Sequence, residues 1–319
     1  MSNYPNVPKL YINQLAKANK VVFSGKDREV VIDGLIEKNQ KEKLNYLNEQ
    51  FKFTSPYMTI CKPESNFPDK SKTPELFIST LIKENLITKE NINTQWQPEL
   101  DSNIKICAIK QDGSAVYLKF VERKSFMRRS GYGTIPDFYA SFRSVVIHFG
   151  QDEIIQLRCP STEVKKYSEH VMKIMGFATP FKWFPVPKLT KDNAVELCTI
   201  LSAGVASRHI AMPSTVGSLK FNGKKGVNLS NDKTFHTINK AIQDIGLPTD
   251  QTMDETCFFS YVDNVTGITI EATFEVNIQS GYFKFTKQVP EVVFDHVLEA
   301  LVKVNNGSIN IKETAVAKN

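Results

Sequence analysis

The chain has 319 residues, of which 41% are apolar and 23% charged, with a mean hydropathy of -0.27; this excludes a disordered or collagen-like polypeptide. At roughly 150 residues per domain the length fits about two domains and buries a core without metal or disulfide staples. Lys and Arg outnumber Asp and Glu by 40 to 34, a formal +6, which admits an anionic partner without requiring one.

From residue 10 to 53 the apolar residues Ile12, Leu15, Val31, Leu35, Leu44 and Leu47 recur at helical intervals among Lys and Glu, predicting short amphipathic helices. Ser24 is expected to cap a helix over 27–38, with Asp27 and Glu29 at its positive end. The proline-rich stretch 56–74 reads as a connecting loop, and Pro74 as the first turn of a helix over 75–84.

From Ile104 the period changes to alternation. Residues 104–108 and 116–120 flank Gln111-Asp112-Gly113-Ser114 as a hairpin, and residues 145–149 and 154–158 flank a second turn at 150–153. A helix over 162–175 ends at Gly176. Pro180, Pro185 and Pro187, with Phe177, Phe181, Trp183 and Phe184, read as a stiff connector with packed aromatics.

Beyond it, residues 191–206 predict a largely buried helix, 218–221 a strand and 232–245 a helix. Strands over 257–262, 268–276 and 282–286 and a helix over 290–304 complete the pattern. The expected fold class is α+β: an amino-terminal helical module followed by two antiparallel-hairpin-plus-helix units. The expected layout is a helical module (1–56), a loop and helix connector (57–103), a central domain (104–177), a linker (178–189), a carboxy-terminal domain (190–306) and a frayed tail (307–319).

The cysteines, Cys61, Cys107, Cys159, Cys198 and Cys257, are odd in number and widely spaced, so a disulfide framework is not expected. Residues 1–11 lack a secretory pattern, and the most apolar long stretch, 195–212, is broken by Glu196, Arg208 and His209. The expectation is therefore an intracellular protein, in cytoplasm or nucleus or nucleoid, with no membrane partner.

Catalytic signatures are sparse. No Gly-x-x-x-x-Gly-Lys-Ser/Thr loop, His-Glu-x-x-His or Gly-x-Ser-x-Gly occurs in the sequence, so no cofactor and no metal site are expected. A divergent metal-dependent nuclease would draw on Asp112 before Lys119 or Asp263 before Glu271, but neither pair has the spacing that sets an acid and a lysine on one strand face. The simpler reading is a turn aspartate and a solvated strand face.

The charge is localised. Residues 105–143 carry Lys105, Lys110, Lys119, Arg123, Lys124, Arg128, Arg129 and Arg143 against three acids, a net +5; residues 217–240, with Lys220, Lys224, Lys225, Lys233 and Lys240, carry +4, leaving -3 for the remainder. The stretch from Arg123 to Gly133 joins guanidinium groups, hydroxyls, glycines and Tyr132 in what reads as an inter-strand loop, a composition suited to phosphates and a base; the alternative is a solvated loop whose Tyr132, Phe138, Tyr139 and Phe142 pack inward while the arginines pair with nearby acids.

The run from Ile12 to Ile36 resembles a SAP domain, the helix-extended-helix module of chromatin-associated and DNA-repair proteins. A first helix with Leu15 inward, the apolar piece Val21 to Phe23, Gly25-Lys26, and a second helix with Val31 and Leu35 inward carry the resemblance over residues 10–37. Two positions depart from it: Asp27 stands where the family has a lysine, and Gly34 where it has an arginine. The resemblance implies backbone contacts to DNA by Lys20, Lys26 and Arg28.

Together these features predict a non-enzymatic protein binding nucleic acid, DNA first, through Lys20, Lys26, Arg28, Lys119, Arg123, Lys124, Arg128, Arg129, Tyr132, Arg143, Lys220, Lys224 and Lys225. The alternatives are an assembly subunit with an acidic protein partner, and the divergent nuclease.

Overall fold

The computed structural model describes residues 4–150, 153–186, 191–212, 217–249, 251–277 and 282–316. The protein is α+β, with antiparallel strand ladders and helices in each of two compact units. Residues 57–186 form one unit, and residues 1–56 with 187–319 form the other.

The chain opens with α1 (Lys9–Ala18), α2 (Arg28–Glu37) and α3 (Lys41–Gln50). Their inward residues Ile12, Leu15, Val31, Ile32, Leu35 and Leu44 are fully buried, so truncating one to alanine costs about 2–5 kcal/mol. Ser24 is not the cap of α2: the cap position is Asp27, which makes no side-chain capping bond. Ser24 stands three residues before the cap position, ahead of the turn through Gly25, φ +68.

In the unit 57–186 the expected connector contains a strand, β1 (Tyr57–Pro63). Met58, Ile60 and Cys61 are buried, and β1 pairs on its two sides with later strands; a strand buried on both faces reads as a short apolar run rather than an alternation. Next comes α4 (Pro74–Lys83), whose first turn is capped by the Thr73 hydroxyl accepting from Leu76 N. Then follow β2 (Lys105–Asp112), β3 (Ala115–Ser130), β4 (Gly133–His148), β5 (Ile154–Arg158), α5 (Val164–Met175) and β6 (Trp183–Val186).

The strand order in this unit is β2-β3-β4-β5-β1-β6, every neighbour antiparallel. Phe77, Leu118, Phe120, Leu157, Tyr167 and Val171 form its core with Gly176, at φ +88, ending α5. The stiff connector expected at 178–189 is in part strand: β6 pairs with β1 from Pro63↔Trp183 to Ile60↔Val186, while residues 187–190 lie outside the described ones.

The discontinuous unit continues with α6 (Lys191–Ile200), β7 (Gly204–Ala211), β8 (Ser218–Asn222), α7 (Lys233–Asp244), β9 (Thr252–Val262), β10 (Thr269–Asn277), β11 (Tyr282–Phe285) and α8 (Glu291–Val316). Its strand order is β11-β10-β9-β7-β8, again antiparallel. The helix expected over 191–206 stops at Ile200 because the chain reverses at Ser202, φ +50, with Ala203 N bonded to Cys198 O. Residues 204–206 begin β7.

Long-range bonds join the first helices to the carboxy-terminal half. Tyr11 OH donates to Gln288 O at 3.1 Å, Tyr46 OH to Asp263 Oδ1 at 3.1 Å, and Val292 N to Gln50 Oε1 at 2.8 Å. The expected tail falls on the last turns of α8 and on residues 317–319, outside the described ones. Among the described residues no helix is long and apolar enough to cross a membrane.

Candidate nucleic-acid interface

The stretch expected to be a loop between Arg123 and Gly133 is instead a β-ribbon. β3 and β4 pair without interruption from Ala115↔His148 to Ser130↔Gly133, closed by Gly131, φ +58, and Tyr132, a two-residue turn of the glycine-first kind. The neighbouring strands stop much earlier: β2 pairs no further than Lys105↔Val121, and β5 no further than Ser144↔Arg158. From Glu122↔Ser141 outward the two strands have no other strand partner among the described residues, though Arg123 N donates to Asp101 O at 3.0 Å at the root; the ribbon runs on for about 25 Å at 3.3 Å per residue. Tyr132 at its tip is fully exposed.

Strand alternation sorts the ribbon into two faces. On one lie Glu122, Lys124, Phe126, Arg128, Ile135, Asp137, Tyr139 and Arg143, and this face meets α5 at its base. Glu122, almost wholly buried, accepts from Tyr167 OH at 3.1 Å and pairs with Lys166. Glu163 pairs with both Lys124 and Arg143, and Arg128 pairs with Asp137 across the strands at 3.2 Å. Burial alone would raise the Glu163 carboxyl, but the hydrogen bonds and charges of Arg143 and Lys124 outweigh it and hold the group below the usual carboxylate range. Each cation of this face therefore has an acid beside it.

The opposite face carries Arg123, Ser125, Met127, Arg129, Thr134, Pro136, Phe138, Ala140 and Phe142, without a carboxylate among them. Arg123 lies over the Phe138 ring at 4.0 Å from its centroid, a cation–π stack. Met127, Phe138 and Phe142 are 62%, 50% and 49% exposed. This face combines two arginines with exposed apolar and aromatic surface.

The other expected site residues fall into separate groups. Lys119 lies on β3 on the sheet side of the ribbon, half-buried. Lys20, at φ +57, and Lys26 are exposed in the turn between α1 and α2. Arg28 serves the structure of its own helical region, where its guanidinium donates to Tyr4 O and Val7 O and pairs with Glu29 at 3.0 Å. Lys220 sits on β8, and Lys224 and Lys225 on the exposed turn after it; Lys224 borders a cavity of about 460 Å³ lined also by Phe221, Leu229 and Phe235.

Sequence reasoning gave no place on this surface to Met127, Phe138, Phe142, Glu122 and Glu163, and the alternative in which Tyr132, Phe138, Tyr139 and Phe142 pack inward does not hold, since all four are exposed. The alternation through 121–143 and the Gly-Tyr turn could have found the first three; the two glutamates needed the position of α5.

The carboxylates considered for a nuclease have other partners. Asp112 pairs with Lys110 at 2.8 Å, and Asp263, buried, accepts from Tyr46 OH, Thr266 OH and Val265 N, which closes the turn before β10. One group of metal-ligand type occurs among the described residues: Cys198, Glu255 and Cys257, their ligand atoms within 4.8 Å of one another. Arg208 Nε already donates to Glu255 at 2.6 Å, supplying the positive charge there. No protein-family model matches the chain, and no curated protein matches it in sequence.

Proposed function

We propose that the protein binds nucleic acid, DNA first, through phosphate contacts, with the β3–β4 ribbon as its main contact arm. The observation that carries this reading is the acid-free ribbon face, where Arg123 and Arg129 stand without a carboxylate on the same face and beside exposed aromatic surface. Arginine binds phosphate oxygens in pairs, and a two-stranded ribbon is narrow enough to enter a groove. Within this reading Lys124, Arg128 and Arg143 act less as free cations than as a scaffold, because each is already matched by an acid.

In the finer layout, an amino-terminal helical module precedes two hairpin-plus-helix units, and the SAP-like turn adds Lys20 and Lys26 as auxiliary contacts. Lys220, Lys224 and Lys225 add charge from the turn after β8. The protein acts as a binder in a reducing intracellular compartment, a reading that its five free cysteines support.

A second reading, an assembly subunit, draws on the exposed Phe126, Ile135 and Tyr139 on the other ribbon face, which would form an apolar interface core. A mobility-shift assay against duplex DNA, single-stranded DNA and RNA at two salt concentrations tests the proposal. Salt-weakened binding supports it; an absence of binding to all three at low salt leaves the assembly reading in its place.

A further inference from the structure

We infer that the acid-free ribbon face takes single-stranded nucleic acid, with unpaired bases stacked on Phe138 and Phe142 and phosphates held by Arg123 and Arg129; this rests on the nucleic-acid reading above. Arg123 and Arg129 are six residues apart on one strand, so they stand about 20 Å apart along the ribbon, enough to hold phosphates of different nucleotides. Phe138 and Phe142 lie on the adjacent strand and the same face, about 13 Å apart. Aromatic steps beside a line of cations make the surface that tracks a single strand, because every base has a π-face and offers it only when unpaired.

The exposure of the rings points the same way. Phe138 and Phe142 keep about half their surface open, although each ring has enough apolar area to be drawn into a core if one were at hand. The Arg123 guanidinium over Phe138 enlarges the platform, since a planar guanidinium stacks on bases as well as on rings.

Charge argues against a second copy of this chain as the occupant. A two-fold contact sets a patch against itself, and here it would bring arginines together with no carboxylate on the face to separate them. A polyanion with exposed bases satisfies both the charge and the rings.

The test uses the full chain and fluorescence anisotropy with a labelled oligothymidylate, the same strand in duplex, and inorganic polyphosphate as a base-free competitor. The oligothymidylate should bind at least about tenfold more tightly than the duplex. Phe142→Ala should weaken it by about tenfold while leaving duplex binding and polyphosphate competition unchanged, whereas Phe138→Ala, which also removes the ring under Arg123, should weaken it by about tenfold and duplex binding by clearly less. Phe138→Leu, which keeps apolar volume and removes the aromatic face, should show the same loss with a wild-type melting curve, so that misfolding is not mistaken for lost stacking.

Equal affinity for single strand and duplex, or ring variants that bind as wild type does, would overturn the stacking inference and leave phosphate binding standing. Self-association that is lost in Phe138→Leu, with nucleic-acid affinity unchanged, would also overturn it. Failure of every nucleic acid to bind would overturn the underlying reading itself.

Discussion

Arg128 and Arg129 are adjacent in the sequence and opposite in circumstance: Arg128 pairs with Asp137 across the ribbon at 3.2 Å, while Arg129 is on the face that has no carboxylate. The difference follows from the period of two in a strand. It divides a basic cluster that looks uniform in sequence into a matched half and an unmatched half, and only the unmatched half has charge to offer a polyanion without first breaking an ion pair.

The matched half ties the root of the ribbon to α5, and its acid dependence is predictable. Glu163 has its carboxyl held low in the folded protein by Arg143 and Lys124 against the opposing effect of burial. A group with a depressed folded pKa contributes stability that is fully present above its unfolded value, about 4.3, and is lost as the pH falls through the lower folded value. Urea midpoints should therefore drop on acidification below about pH 4.5. Glu163→Gln should cost about 1–3 kcal/mol at neutral pH and flatten that dependence; an unchanged midpoint at pH 7 would show the pairs to contribute nothing.

Cys198 and Cys257 have their sulfurs 3.2 Å apart, while Cys61, Cys107 and Cys159 are buried with thiol pKa values raised by burial. Protein kept from air and then denatured should alkylate at all five cysteines in a mass spectrum. Native protein treated with a small disulfide should lose the Cys198 and Cys257 sites together as one cross-link before the other three react. A native disulfide in the untreated protein would contradict the compartment reading.

The stretch before residue 187 should resist proteolysis. β6 is hydrogen-bonded to β1, and Phe177, Phe181 and Trp183 pack against the core, so a protease must open local structure before it can cut. Limited digestion should spare residues 177–186; rapid cleavage between Phe181 and Val186 would show that β6 is detached in solution.

Much of the fold is legible in the sequence where one local signal dominates. Asp232 caps α7, Gly176 ends α5, and Asp112-Gly113 turns β2 into β3, each by chemistry confined to a few residues. The strands β1 and β7 are harder to read: Tyr57 to Cys61 is a short apolar run between prolines, and Gly204 to Ala211 follows a helix without a proline to mark its end. The ribbon escapes for another reason. Arg, Ser and Gly from 123 to 133 look like a loop by composition, yet the pairing of 123–130 with 133–140 extends an already formed hairpin, so the register of Val116↔Ile147 and Leu118↔Val145 carries outward. The two faces, and with them the significance of Phe138, exist only once that register is known.

The most direct test of the nucleic-acid reading is the salt dependence of DNA binding in two double variants. Each phosphate contact contributes about 0.9 to the slope of log affinity against log salt on duplex and about 0.7 on a single strand. Arg123→Ala with Arg129→Ala, on the acid-free face, should lower the slope by roughly 1.4 to 1.8 and weaken binding on all sequences alike. Lys124→Ala with Arg128→Ala, whose cations are already paired, should lower it by clearly less. Equal slopes in the two variants, or a wild-type protein whose affinity is independent of salt, would contradict the account.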